Sequence, residues 1–255
     1  VSAAYYNEID PYAAAWLRNL IEAGHIAPGM VDERSIEDVS PDDLRGFTQC
    51  HFFAGIGVWS YALRQAGWPD DQPVWTGSCP CQPFSAAGKG AGFADERHLW
   101  PAFFQLIKEC RPAIVFGEQV ASKDADAWID LVHADVESLG YAFGCIPFPS
   151  AGVGAPHLRD RLYWVADANR DRCKQSYTLL LSGQQAEAGS DSPRRVPWAD
   201  MERVICPDGR IRLREPGLVL LVDGDTEHLA QLRAAGNAIN AEAAKVFIES
   251  VMESI

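Results

Sequence analysis

Between residues 1 and 165 the chain repeats one pattern, a short and continuous apolar run followed by a stretch with helical spacing. That alternation constrains the fold more than any other feature. Strands that are apolar throughout, rather than at every second position, must be covered on both faces, and this is the signature of a mostly parallel sheet with crossover helices. Strands are predicted at Ala3–Ile9, Thr48–Ala54, Val74–Ser78, Ile114–Gly117, Tyr141–Pro147 and Leu162–Ala166, with helices at Pro11–Ala23, Val58–Ala66, Leu99–Cys110 and Ala125–Leu139. Pro11 suits a first helical turn, and Asp10 is placed to cap it. The expected fold class is therefore α/β.

After Ala166 the character changes. Residues 167–199 are rich in Ser, Gln, Ala, Asp and Arg without periodicity and read as a loop-rich insert. The Pro-Asp-Gly turn within Cys206–Arg210 predicts a β-hairpin. An amphipathic helix over Asn240–Ser254, with Ala244, Val246, Phe247 and Val251 available for packing, is expected to return to the sheet.

Composition excludes some classes and complicates one. A 47% hydrophobic content with 22% charged residues is ordinary for a globular chain. No run reaches the roughly 18 apolar residues of a membrane span, and no basic-then-apolar leader is visible. The seven cysteines (50, 79, 81, 110, 145, 173 and 206) are odd in number and irregularly spaced, so free thiols in a reducing, cytoplasmic setting are expected. Cys79 and Cys81 resemble half of a metal site, but no second pair follows, and no metal is expected. The net charge of −13 argues against a phosphate-bearing partner.

Two segments carry chemistry. Phe52–Gly57, Phe-Phe-Ala-Gly-Ile-Gly, follows a predicted strand and opens a helix, where glycines permit a tight turn and close approach of a ligand. A glycine turn that binds nothing would look the same. Gly77–Ser85, Gly-Ser-Cys-Pro-Cys-Gln-Pro-Phe-Ser, lies at another strand end, the edge where parallel sheets hold ligands. A free cysteine is commonly a small buried apolar group, but Gln82 and Ser85 make this one polar. The stretch Ala86–His98, with glycines at 88, 90 and 92, reads as a lid.

With these segments in view, the chain resembles the DNA cytosine-5 methyltransferases over nearly its whole length. Phe53, Ala54, Gly55, Ile56 and Gly57 match the family's S-adenosylmethionine-binding motif. Pro80–Ser85 matches its nucleophile motif, which implies that Cys81 is the attacking thiol and Pro80 a cofactor contact. Glu118 within Gly117–Val120 matches the Glu-Asn-Val motif. Arg159 and Arg161 within Ala155–Ala166 match the two-arginine motif. Leu232–Asn240 matches the last motif, with Asn237 and Ala238 closing the cofactor site. The resemblance implies a class-I, Rossmann-like methyltransferase sheet and transfer of a methyl group from S-adenosylmethionine to C5 of cytosine in double-stranded DNA.

The chemistry requires these residue types. Cytosine C5 is a poor nucleophile while the ring is aromatic, and a thiolate adding to C6 leaves electron density on C5. A cysteine titrating near ~8.5 needs a positive environment to ionise near neutrality, which the arginines would supply. A carboxyl at 118 would share a proton with N3, its pKa raised by enclosure; a solvated strand-end acid is the bland alternative. The target base must leave the duplex to react.

The order of segments departs from the family. Glu8 and Ile9 resemble the ribose-binding acid and an adenine-packing residue, and Ser35 and Ile36 the next family segment, yet both lie before Phe53. This implies a circular permutation of the first strands, the alternative being an unrelated layer over residues 1–46. Ser35 stands where the family carries an Asp, so either Asp32 or Asp38 would substitute or the contact is lost. Val58 replaces a Gly, Gln119 an Asn and His157 a Gln. The expected organisation is a catalytic and cofactor-binding region over 1–166, a small irregular target-recognition region over 167–214, and a segment over 215–255 returning to the catalytic domain. The 167–214 window holds nine basic side chains against seven acidic ones, whereas residues 1–50 hold three bases against nine acids. Gln82, Ser85, Lys89, Arg97, Arg194 and Arg195 are the expected DNA contacts. A monomer of bacterial or phage origin is expected. A non-catalytic nucleic-acid binder, an RNA target and a modified sulfonium donor are the alternatives.

Overall fold

A computed structural model describes residues 3–80, 99–121, 123–169, 202–205, 211–214 and 238–255. In chain order the elements are β1 (Ala4–Asn7), α1 (Pro11–Glu22), β2 (Gly29–Asp32), β3 (Gln49–Phe52), α2 (Val58–Gln65), β4 (Val74–Gly77), α3 (Trp100–Cys110), β5 (Ile114–Val120), α4 (Lys123–Ser138), β6 (Ala142–Pro147), β7 (Arg161–Asp167), β8 (Glu202–Ile205), β9 (Ile211–Arg214) and α5 (Ala241–Met252). Seven strands form one sheet in the order β2-β1-β3-β4-β5-β7-β6, and β8 pairs with β9 in a separate hairpin. Within the sheet β7 alone runs against its neighbours β5 and β6. This is the mixed α/β sheet expected of a Rossmann-like methyltransferase.

Both faces are covered. Tyr5, Cys50, Phe52, Trp75, Val115 and Trp164 face one side, where α3, α4 and two short 3-10 turns (Ile36–Asp38 and Pro41–Leu44) pack on them. Tyr6, Val74, Ile114, Phe116 and Tyr163 face the other, beneath α1, α2 and α5. Each large apolar side chain so enclosed contributes roughly 1.5–3 kcal/mol relative to exposure. Close approach is built in at Gly117, where a Cβ would stand 2.1 Å from the Trp164 indole. A residue larger than glycine there would push Trp164 off the sheet.

Local chemistry sets the ends of the helices. Asp10 Oδ1 accepts from the Tyr12 and Ala13 amides at 2.8 and 3.1 Å, and Pro11 opens α1. Asn240 caps α5 in the same way. The stripe that α5 buries is Ala243, Ala244, Phe247 and Ile248, one residue out of phase with the predicted Val246; Val246 and Val251 are only partly covered.

Two strands differ from expectation. β2 is not among the predicted strands, because an edge strand with one neighbour needs no continuous apolar run, and Gly29 and Met30 are exposed. β5 runs on through the polar Glu118 and Gln119 to Val120, since β7 pairs with it along its whole length. Residues 4–32 supply strands of the main sheet rather than a separate layer. The predicted hairpin is present as β8 and β9, with Ile205 opposite Ile211; its turn at Cys206–Arg210 lies outside the described residues. No helix among the described residues is long and apolar enough to cross a membrane.

Candidate active site

Sheet register places the site. Asn7, Phe52, Gly77 and Gly117 are cross-strand partners on β1, β3, β4 and β5. One residue further along each strand stand Glu8, Phe53, Ser78 and Glu118, which therefore form a row at the carboxyl edge. Neighbouring strands lie about 4.8 Å apart, so Glu8 and Glu118 are separated by roughly 14 Å of sheet edge. Parallel α/β sheets hold their ligands at this edge.

At one end of the row the chain leaves β3 through Phe53, whose φ of 51° is left-handed, and enters α2 through Gly57 at φ 77°. A Cβ on Gly57 would also meet Leu17 at 3.0 Å and Ile26 at 3.1 Å, so both conformation and space call for glycine. The turn is tied to β1. The Ala54 amide donates to the Asn7 carbonyl at 3.0 Å, and the Gly55 amide donates to Glu8 Oε2 at 2.7 Å. Glu8 Oε1 accepts from the Asp10 amide at 2.9 Å. Burial raises the Glu8 pKa, and these two amides oppose it. Beside Glu8, Ile9 is 64% exposed, an apolar surface at the mouth of the turn. Among the described residues nothing lies within 4 Å of a Cβ built on Gly55.

The segment after β2 is held against this end. Asn7 Nδ2 donates to the Arg34 carbonyl at 2.8 Å, and the Arg34 guanidinium grips Asp32, with Nη2 to Oδ2 at 2.6 Å. Tyr5 also donates to Asp32 Oδ2 at 2.7 Å. Arg34 holds the Asp32 carboxyl down at about 2. Asp32 is thus engaged within the fold and is a poor candidate to replace the missing acid. Ser35 caps the 3-10 turn and bonds with Glu37, while Ile36 is buried at 3% exposure and can offer a ligand only its backbone.

At the other end Glu118 pairs with Tyr163 across β5 and β7, which leaves Arg161, two residues before Tyr163, on the same face and diagonal to Glu118. Arg161 Nε donates to Glu118 Oε1 at 2.7 Å. Ser78 stands beside Glu118 in the row, and Trp59 Nε1 donates to Ser78 Oγ at 3.0 Å. Burial pushes the Glu118 pKa up, while Arg161, Arg159 and Ser78 pull against it. Arg159, with a left-handed φ of 38°, donates from Nη2 to the Ala238 carbonyl at 2.6 Å and so ties the two-arginine segment to the entry of α5. Cys79 is buried and desolvation raises its thiol pKa strongly, so it does not compete as a nucleophile. Pro80 is exposed just beyond it. Cys81, Gln82, Ser85, Lys89, Arg97, Arg194, Arg195 and Asn237, together with the Ala86–His98 stretch, lie outside the described residues.

Trp59 and Ser78 are the site residues that sequence reasoning missed. Trp59 has the spacing of a core helix residue, and Ser78 sits among more conspicuous neighbours. A polar residue closing the predicted strand Val74–Ser78 was the available signal.

Fold and site define an α/β domain of the class-I methyltransferase architecture. A family model described as C-5 cytosine-specific DNA methylase matches residues 63–188. Over that segment the chain is similar to the family. Type II methyltransferase M.HhaI of Haemophilus parahaemolyticus is 31% identical over 103 residues, which cover 39% of this chain and 32% of that protein. Type II methyltransferase M.NgoMIV of Neisseria gonorrhoeae is 31% identical over 130 residues, 50% of this chain and 39% of that one. The matches span less than half the length of either relative. The solved S. pombe Dnmt2 methyltransferase covers 73% of this chain and 48% of its own at 15% identity and a TM-score of 0.42, too distant to argue from.

Proposed function

We propose that the chain transfers a methyl group from S-adenosylmethionine to C5 of cytosine in double-stranded DNA, with Cys81 bonded covalently to C6 of a flipped base. The observation that carries this is the row at the sheet edge, which sets a turn suited to a nucleoside cofactor beside an enclosed carboxyl–arginine pair suited to a pyrimidine.

The residues at the first end fit the cofactor. Open space over Gly55, the carboxylate of Glu8 and the exposed Ile9 offer, in turn, close backbone approach, an acceptor for ribose hydroxyls and an apolar surface for a purine. Phe53–Gly57 and Glu8–Ile9 would hold it, with Pro80, Asn237 and Ala238 closing the site and Ser35–Ile36 contributing backbone. When bound, S-adenosylmethionine supplies an electrophilic sulfonium methyl group.

The chain's own residues do the rest. The Cys81 thiolate adds to C6, forming a C–S bond and displacing the C5–C6 π pair toward C5. Glu118, its carboxyl enclosed, holds a proton at N3 and makes the ring a better acceptor for the thiolate. Arg161 fixes the Glu118 orientation and Arg159 joins it in keeping the pocket positive. Once C5 is substituted, loss of its proton returns an electron pair to the C5–C6 bond and expels Cys81 as thiolate. The basic window at 167–214 would read DNA, with Gln82, Ser85, Lys89, Arg97, Arg194 and Arg195 as contacts, and a monomer would suffice.

We also infer that the first strands are circularly permuted relative to the family. Glu8 follows β1 yet stands beside the turn that follows β3, and the family match begins at residue 63, beyond that turn. A linear match must break where segments change order.

The test is incubation of the protein with DNA and labelled S-adenosylmethionine, followed by nucleoside mass spectrometry. 5-Methylcytosine is expected; no modified cytosine on any DNA tried would sink the reading. DNA carrying 5-fluorocytosine should trap an adduct, because fluorine blocks elimination. A Cys81→Ser protein that traps as well as the parent would refute the nucleophile assignment.

A further inference from the structure

Arg159 and Arg161 are two residues apart, and in an extended strand both side chains would rise from one face toward Glu118. They diverge instead. Arg161 donates from Nε to Glu118 Oε1 at 2.7 Å, whereas Arg159 donates from Nη2 to the Ala238 carbonyl, 79 positions away, at 2.6 Å. The backbone sends them apart, because the φ of 38° at Arg159 is left-handed and unfavourable for a residue with a Cβ. Neighbouring bonds hold this bend. The Ser150 amide donates to the Arg159 carbonyl at 3.4 Å, and the Phe148 amide donates to the Arg161 carbonyl at 2.8 Å. The acceptor is fixed as well. Ala238 lies two residues before the Asn240 cap of α5, so its carbonyl stands outside the helical ladder and is open to a side chain. Ile239 is 8% exposed, in the same apolar layer as Tyr163 and Phe247.

We propose that Arg159 is a positioning residue, a clasp that couples the segment entering α5 to the Glu118–Arg161 pair. Its side chain holds Ala238, and its own backbone leads directly into the strand that carries Arg161. A charge placed only to keep the pocket positive would not need the bend, since an unbent strand would turn the guanidinium toward Glu118. The proposal rests on the functional reading for one point, that residues 237 and 238 close on the cofactor. Given that, occupancy of the cofactor end steadies the base end.

Amide hydrogen exchange reads the clasp without substrate. Arg159→Met keeps an unbranched side chain but loses donor and charge. In it, exchange should quicken by about tenfold both at Glu242 and Ala243, the amides capped by Asn240, and at Phe148 and Ser150 across the bend. Arg159→Lys, which keeps a charged donor of similar reach, should restore most of the protection. S-Adenosylhomocysteine, the product of the transfer, is the non-reacting probe of the cofactor end. In the parent it should slow exchange at Phe148 and Ser150. In Arg159→Met that slowing should vanish and calorimetric affinity should fall by about tenfold, a ligand-dependent loss that a merely structural arginine would not produce. Should Arg159→Met not fold, Arg159→Gln, polar but too short to reach Ala238, takes its place. Unchanged exchange at the cap, or slowing by the probe that persists without the clasp, would overturn the coupling. Exchange that quickens on both sides of the clasp in a protein whose parent binds no S-adenosylhomocysteine would uphold the clasp and remove the proposed function instead.

Discussion

Glu8, half-buried, and Glu118, buried, stand at the same sheet edge, and burial raises the pKa of each, yet their neighbours differ in kind. Glu8 is met by two backbone amides, from Asp10 and Gly55, and no cation bonds to it among the described residues. Glu118 is met by a guanidinium, with a second arginine nearby. Amides fix a carboxylate's direction without adding charge, which suits an acceptor that must stay in place for hydroxyl groups. Arginines adjust how readily the carboxyl holds a proton, which suits a group that must share one. The same residue type thus becomes an anchor at one end of the row and a proton carrier at the other, and the difference lies wholly in the partners.

The sharpest way to break this contrast is Glu118→Gln. The shape is kept and the exchangeable proton is lost, so kcat should fall by about 10²–10⁴-fold while cofactor affinity stays within about twofold. Stopped methyl transfer measured alongside calorimetric binding separates the two. Equal loss of cofactor affinity would show that Glu118 belongs to the cofactor end after all.

The reciprocal change is Glu8→Ala, which removes an acceptor whose charged hydrogen bonds are worth about 1.5–3 kcal/mol each. Cofactor affinity should weaken by about 10–100-fold, with the rate at saturating cofactor nearly retained. Unchanged affinity would remove Glu8 from the site and with it the main support for a permuted order of strands.

How much of this contrast is legible in the sequence depends on how far apart its partners lie. Strands and helices follow from local periodicity, and five helices and six of the seven sheet strands stand close to where that periodicity puts them. β2 escapes because its four residues, Gly29–Asp32, form an edge that carries too little apolar surface to register. Glu118 and Arg161 become neighbours only through the β5–β7 register, and Glu8 meets Gly55 across 47 positions of sequence. Resemblance to a family joins those pairs; periodicity cannot. The Trp59–Ser78 contact is invisible to both, since it depends on the rotation of α2 over β4 and matches no motif.

The smallest effect near neutrality concerns the strand between the two ends, and it tests whether the Glu8 side has a weakness in acid that the Glu118 side lacks. His51, on β3 at 1% exposure, stacks on Tyr6 at 4.9 Å and shares a hydrogen bond with Thr76 through Nδ1 at 2.8 Å. Its Nε2 has no partner among the described residues, and burial pulls its pKa down to about 3. The unfolded chain, with an ordinary histidine near ~6.5, takes up a proton in acid that the folded chain refuses. Unfolded molecules therefore bind more protons below that point, and stability falls as pH drops from about 6.5 toward 3, by roughly 1.4 kcal/mol for each unit in which only the unfolded state is protonated. Urea unfolding between pH 7 and 5, above the range in which most carboxylates titrate, should show this slope, and His51→Gln should flatten it. A slope identical in both proteins would mean that the folded chain accommodates the charged ring, and that β3 is more open beneath the glycine turn than its packing indicates.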